Sequence, residues 1–246
     1  MAGRNVKVWL FLPLVSLLLG IAPMKPRLTA LYAGGKGPPV LVFLHGYGSS
    51  AEHWQPFVAT LAAPPAARFV FPQAAQKISR RDGGLGARAW WPLDFGKRTR
   101  PHGAGADLAL DQPKGLARAS DQIRVILQAE RSAGDPPVIL GGFSQGAMVA
   151  AQIAFTSDEP LAALVILSGT GINRAAWQQQ MPKRKSLRVF MAHGRADKVL
   201  PFDMAERLRD DMVAAGIDVT FVPFAGGHEM PVEVVTALRE FLGWKN

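Results

Sequence analysis

The stretch Val138-Ile139-Leu140-Gly141-Gly142-Phe143-Ser144-Gln145-Gly146-Ala147 constrains this chain more than any other. The apolar residues Val138 to Leu140 predict a short strand, and the Ala-rich run from Ala147 to Phe155 predicts a helix that starts at Gln145. Between them lies Gly142-x-Ser144-x-Gly146, the pattern of a nucleophile elbow. A serine in such a strand-to-helix corner stands above the sheet edge, where a substrate can reach it. The flanking glycines are required because a β-carbon at either position would collide with the neighbouring strand or helix. The helix aims its positive N-terminal end and its unpaired backbone N–H groups at the same spot. That suits a reaction in which negative charge develops on an acyl oxygen. The five-residue pattern alone is common; the strand before it and the helix after it lend it weight.

The rest of the chain repeats this alternation. Leu28 to Tyr32 predicts an edge strand, and Val40 to Leu44 a continuous apolar strand buried on both faces. A helix is expected from Ala51 to Ala62 and a strand from Arg68 to Phe71, stopped by Pro72. Residues 73–113 are the least regular part, and a stretch of that length tends to carry function. Its pair Trp90-Trp91 reads either as a roof over the core or as an apolar wall for an acyl or alkyl group. Then follow an amphipathic helix (Lys114 to Arg131), strands at Leu161 to Leu167, Leu187 to Ala192 and Val219 to Phe224, and helices at Phe202 to Ala215 and Val232 to Leu242. Such alternation predicts an α/β fold with one doubly wound, mostly parallel sheet flanked by helices.

Residues 1–23 stand apart from a domain spanning 24–246. Arg4 and Lys7 precede an uncharged run from Val8 to Pro23. A basic start followed by a short apolar run resembles a secretory signal, and it falls short of the roughly 20 residues of a membrane span. Gly20-x-Ala22 satisfies the small-residue rule for cleavage, whereas Pro23 disfavours cleavage there and leaves an uncleaved anchor open. The expectation is export or membrane association through residues 1–23; translation from Met24 would make the protein cytoplasmic.

The chain has 246 residues and no cysteine, which removes disulfides, thiol nucleophiles and thiolate metal sites. The net charge is +9, with basic clusters at Arg80-Arg81, Lys97-Arg98-x-Arg100 and Lys183-Arg184-Lys185. No nucleic-acid-binding module accompanies them, so no nucleic-acid partner is expected; they read as solvated loops or, alternatively, as an attraction to an anionic surface or substrate.

Ser144 needs a base, an acid and an oxyanion site. Of the five histidines, His228 follows the last strand and two glycines, at the carboxyl edge where a base must lie. His45 and His193 also follow strands but read as residues that tie turns together; His53 and His102 lack a supporting setting. Asp197 follows the strand before that of His228, and Asp94, Asp203 and Asp218 are poorer placed. The order Ser144, Asp197, His228 is that of α/β-hydrolases. The oxyanion donors would be the backbone N–H groups of Gln145 and Tyr47. No spacing of His, Asp or Glu suggests a metal, and no cofactor is expected.

Five motifs now stand in order: His45-Gly46-Tyr47-Gly48, Gly142-Phe143-Ser144-Gln145-Gly146-Ala147, Leu167-Ser168-Gly169, His193-Gly194-x-x-Asp197-x-Val199-x-Pro201 and Gly227-His228-Glu229. Together they resemble the phospholipase/carboxylesterase family of α/β-hydrolases, which includes bacterial carboxylesterases and acyl-protein thioesterases. The resemblance covers roughly residues 27–244. It implies a metal-free serine hydrolase of carboxylic esters or thioesters without a large lid domain. By position Ser144, Asp197 and His228 match the family's catalytic residues, Tyr47 and Gln145 its oxyanion turn, and Trp90-Trp91 the aromatic segment beside its acyl channel. The N-terminal leader and the arginine-rich loop depart from the family, which is usually cytosolic.

The expected activity is that of a serine carboxylesterase acting on a small-molecule or lipid ester with a short- to medium-chain acyl group. Two alternatives stand beside it: a lysophospholipase or acyl-thioesterase, and a non-catalytic binding protein on a hydrolase scaffold. Acyl chain, alcohol and oligomeric state are not legible in the residues.

Overall fold

The computed structural model describes residues 28–79, 85–93, 112–132 and 134–244. The leader, Arg80-Arg81, Lys97-Arg98-x-Arg100, Asp94 and His102 lie outside these residues.

Nine strands occur among the described residues: β1 (Ala30–Gly34), β2 (Gly37–Leu44), β3 (Ala67–Pro72), β4 (Gln76–Lys77), β5 (Arg88–Ala89), β6 (Val138–Phe143), β7 (Ala163–Leu167), β8 (Arg188–Gly194) and β9 (Asp218–Phe224). The helices are α1 (Ala51–Trp54), α2 (Phe57–Thr60), α3 (Leu116–Arg131), α4 (Gln145–Thr156), α5 (Arg174–Gln180), α6 (Phe202–Ala214) and α7 (Val232–Phe241). Seven strands form one sheet in the order β1-β3-β2-β6-β7-β8-β9, while β4 and β5 pair separately. Only the β1–β3 pairing in the main sheet is antiparallel.

The central strands are buried on both faces, as their unbroken apolar runs require. Val40, Val42 and Leu44 of β2 pack on one side with Val138 and Leu140 of β6, Leu164 and Ile166 of β7, and Val189 and Met191 of β8. The alternate residues Leu41, Phe43, Ile139, Val165 and Phe190 pack on the other. Helix α4 is buried continuously from Gln145 to Phe155, which explains its nearly uniform apolar composition.

Two local departures from the sequence reading have clear causes. The helix expected over Ala51 to Ala62 is two short helices, α1 and α2, separated at Gln55-Pro56. Proline has no N–H to continue the ladder and its ring crowds the preceding turn. The nucleophile strand runs past Leu140 through both glycines to Phe143. Gly141 is a strand residue whose β-carbon would stand 2.9 Å from that of Val165. Helix α5 and the following 3₁₀ turn (Met181–Arg184) are elements that apolar periodicity did not mark.

Candidate active site

The turn after β6 places Ser144 at φ 54°, ψ −118°, outside the ordinary L-residue wells. Such a residue stores about 1–3 kcal/mol of strain and persists only where its surroundings over-determine it. Here the Ser144 N–H donates to the Leu167 carbonyl of β7 at 2.8 Å, and its own carbonyl accepts the N–H of Met148 in α4 at 3.2 Å. The flanking glycines explain the close packing. A β-carbon on Gly142 would lie 2.5 Å from the Gly146 carbonyl carbon, and one on Gly146 would overlap the carbonyl oxygen of Leu44.

His228 reaches Ser144 from the loop after β9. Its Nδ1 lies 2.7 Å from Asp197 Oδ2, and its Nε2 lies 2.9 Å from Ser144 Oγ. A carboxylate only accepts, so Nδ1 carries the proton and Nε2 presents its lone pair to the serine hydroxyl. The ring also packs against Phe143, at 5.0 Å between centroids. The side chain of Asp197 is 0% exposed and that of His228 is 17% exposed, so the acid is sealed while the imidazole keeps an open edge.

Asp197 is held from several directions. Oδ1 accepts the N–H groups of Val199 (2.8 Å) and Leu200 (2.9 Å). His193 Nε2 donates to the Leu200 carbonyl at 2.9 Å and lies 3.3 Å from Oδ2. Burial opposes ionisation of the carboxyl and is the largest single influence. The hydrogen bonds from His193, His228 and Leu200 together outweigh it and hold the group well below the usual carboxylate range.

The Asp197 and His228 loops support one another. Arg195 N–H donates to the Phe224 carbonyl (2.8 Å) and Ala196 N–H to that of Gly226 (3.0 Å). A β-carbon on Gly194 would overlap the Gly227 carbonyl oxygen, so the approach of the loops requires glycine there. Glu229 Oε1 accepts the Gly227 N–H at 3.1 Å, and Ser168 Oγ donates to the Glu229 carbonyl at 3.3 Å. Ser168 itself sits at φ 45°, at the end of β7. Its contribution went unseen in the sequence, where Leu167-Ser168-Gly169 showed only as a motif after a strand.

The turn that holds Tyr47 leaves β2 beside the elbow, because Leu44 pairs with Gly142 in the sheet. A β-carbon on Gly46 would lie 3.4 Å from Ser144 Cβ, so this turn lies directly against the serine. His45 serves the turn rather than the serine: Nδ1 donates to the Gly46 carbonyl (2.8 Å) and Nε2 accepts the Ala74 N–H (3.2 Å). Burial pushes its pKa down to about 4. Gln145 is the first residue of α4. Trp90 and Trp91 are 6% and 4% exposed, packed into the core, and little of either ring faces solvent. Among the described residues no three His, Asp or Glu side chains gather as metal ligands would. No helix there is long and apolar enough to cross a membrane.

Comparison with known proteins agrees with this architecture. A family model described as Phospholipase/Carboxylesterase matches residues 32–246. Acyl-protein thioesterase 1 of Kluyveromyces lactis is 30% identical over 185 residues, covering 71% of this chain and 77% of the relative. That of Mycosarcoma maydis is 28% identical over 213 residues, covering 77% and 83%. Among solved structures, Zea mays acyl-protein thioesterase 2 superposes with a TM-score of 0.68 at 23% identity, covering 89% of this chain and 98% of that one. The Bacillus cereus carboxylesterase does so with a TM-score of 0.68 at 18% identity, covering 89% and 95%. At these identities the structural likeness speaks for the fold alone.

Proposed function

Because this chain belongs to the phospholipase/carboxylesterase family of hydrolases, we propose that it is a serine hydrolase that cleaves carboxylic esters through an acyl-enzyme. The observation that carries this reading is the continuous hydrogen-bonded path from Ser144 Oγ through His228 to Asp197. Ser144 Oγ attacks the acyl carbonyl while His228 Nε2 takes its proton. Asp197 keeps Nδ1 protonated and stabilises the imidazolium that forms. The backbone N–H groups of Tyr47 and Gln145 receive the developing oxyanion, each worth ~3 kcal/mol of barrier. The alcohol leaves with the proton held by His228. Water, deprotonated by the same ring, then releases the acid and restores Ser144.

A second reading is favoured by the curated relatives, which are acyl-protein thioesterases. A thioester would use the same three side chains, and its thiolate is a better leaving group than an alkoxide. Activity toward long-chain lysophospholipids is a further variant of the same chemistry. A panel of p-nitrophenyl esters and acyl thioesters of graded chain length separates these substrates. The reaction class is tested with Ser144→Ala: hydrolysis and labelling by a fluorophosphonate should both vanish while the fold persists. Retained turnover would refute it, and a wild-type protein that takes up no label would support a binding role instead.

A further inference from the structure

The side chain of Gln145 is 3% exposed and turns away from solvent. Oε1 accepts the N–H of Trp90 at 2.9 Å, and Nε2 donates to the carbonyl of Trp91 at 2.9 Å. One carboxamide therefore docks the backbone of residues 90–91 as a neighbouring strand would. The same segment grips the turn after β2. Trp90 Nε1 donates to the His45 carbonyl at 2.7 Å, and the Trp90 and His45 rings lie 5.1 Å apart. Two residues earlier, Arg88 N–H donates to the Ser49 carbonyl, and Gly48 N–H donates to that of Arg88, both at 2.9 Å.

Residues 88–91 are thus fastened on one side to the turn that holds Tyr47 and on the other to the residue after Ser144. These are the two segments assigned above to the oxyanion. They come from neighbouring strands, β2 and β6, whose pairing through Leu44 and Gly142 sets the strand ends side by side, and residues 88–91 tie together the loops beyond those ends. We infer that the Gln145 side chain is a positioning group: through residues 88–91 it sets the separation of the two oxyanion donors. This inference rests on the serine-hydrolase reading.

The physical argument is one of stiffness. The bonds of Gln145 to residues 90–91 and of Trp90 Nε1 to the His45 carbonyl join buried polar groups, and breaking any of them leaves an unpaired partner in a low-dielectric setting. An oxyanion site needs its donors about 2.7–3.1 Å from the oxygen, and a displacement of about 1 Å costs on the order of 100-fold in rate. The demand arises only as the oxyanion forms, so the effect belongs to kcat rather than KM.

The test uses the full chain, with Gln145→Met, which keeps length but loses both bonds, and Trp90→Phe, which loses the indole N–H together with part of the ring's volume. Rates on p-nitrophenyl butyrate are expressed per active site, counted by fluorophosphonate labelling, and thermal midpoints are recorded alongside. Gln145→Met should lower kcat roughly 10–100-fold with KM within about threefold of wild type. Trp90→Phe should shift kcat in the same direction, and the double variant should lose less than the product of the single losses, because both release one clamp. A Gln145→Met protein with a lower thermal midpoint but wild-type kcat per site would overturn the inference. If that variant does not fold, wild-type kcat per site in Trp90→Phe would overturn it equally. Turnover surviving in Ser144→Ala would instead bring down the serine reading and this inference with it.

Discussion

His228 meets Asp197 at a single carboxylate oxygen: Oδ2 lies 2.7 Å from Nδ1, while Oδ1 is taken by the N–H groups of Val199 and Leu200. The acid cannot rotate without unpairing two backbone donors. This division of labour makes Asp197→Asn informative. The asparagine oxygen must stay with the two backbone N–H groups, so its NH₂ faces His228 Nδ1. A donor there forces the imidazole proton onto Nε2, which can then no longer accept from Ser144. The expected loss in kcat is on the order of 10⁴-fold with little change in KM, measured by steady-state hydrolysis of a p-nitrophenyl ester. A loss below tenfold would argue against Asp197 as the orienting acid.

His45 makes stability depend on pH. Its imidazole takes a proton near 6.5 in the unfolded chain and only at about 4 in the buried folded site. Between these values the unfolded state binds more protons, so stability is full above 6.5 and erodes as pH falls toward 4. From pH 7 to pH 5 the loss should be about 2 kcal/mol. Asp197 does not share this window, because a depressed carboxylate loses its contribution only at more acidic pH. Urea unfolding at the two pH values should show the loss in the wild-type protein and a much smaller one in His45→Gln. Equal pH dependence in both would assign the effect to other groups.

Gly146 is the point where α4 closes on the end of β2, and its missing β-carbon leaves room for the carbonyls of Leu44 and His45. Those atoms are backbone and cannot step aside as a side chain would. Gly146→Ala should destabilise the fold by about 1–3 kcal/mol and lower activity per folded molecule, since the elbow must shift. Thermal unfolding combined with active-site labelling checks both parts.

Arg4, Lys7 and the uncharged run to Pro23 predict that the leader directs export or membrane association. The full chain should fractionate with the membrane or the exported proteins. A version beginning at Met24 should remain in the cytoplasm with the same turnover per site. Cell fractionation with intact-mass measurement decides between cleavage and anchoring, and a full-length protein found wholly in the cytosol would show the leader to be inert.

Much of the fold was legible because its signals are local. Apolar runs such as Val40 to Leu44 and Val138 to Leu140, short and bounded by glycine and proline, fit strands buried on two faces, and the glycine spacing around Ser144 permits a corner too tight for other residues. The Pro56 break lay beyond the periodicity reading, because apolar spacing continues across the proline that divides the helix. The Gln145 carboxamide could not be read at all, since its partners lie 54 and 55 residues away.

Sequence alone determined the strands of the main sheet to within a few residues, the amphipathic helix over Lys114 to Arg131 and the sharp turn at Ser144, because these follow from steric and solvation preferences a few residues long. Tertiary structure decided that Ser144 and His228, 84 residues apart, lie within hydrogen-bond distance, that the acid's second oxygen is anchored by its own loop, and that Trp90 and Trp91 lie in the core. Those outcomes depend on the order and register in which strands pair, and a strand's own residues prescribe its burial but not its neighbours.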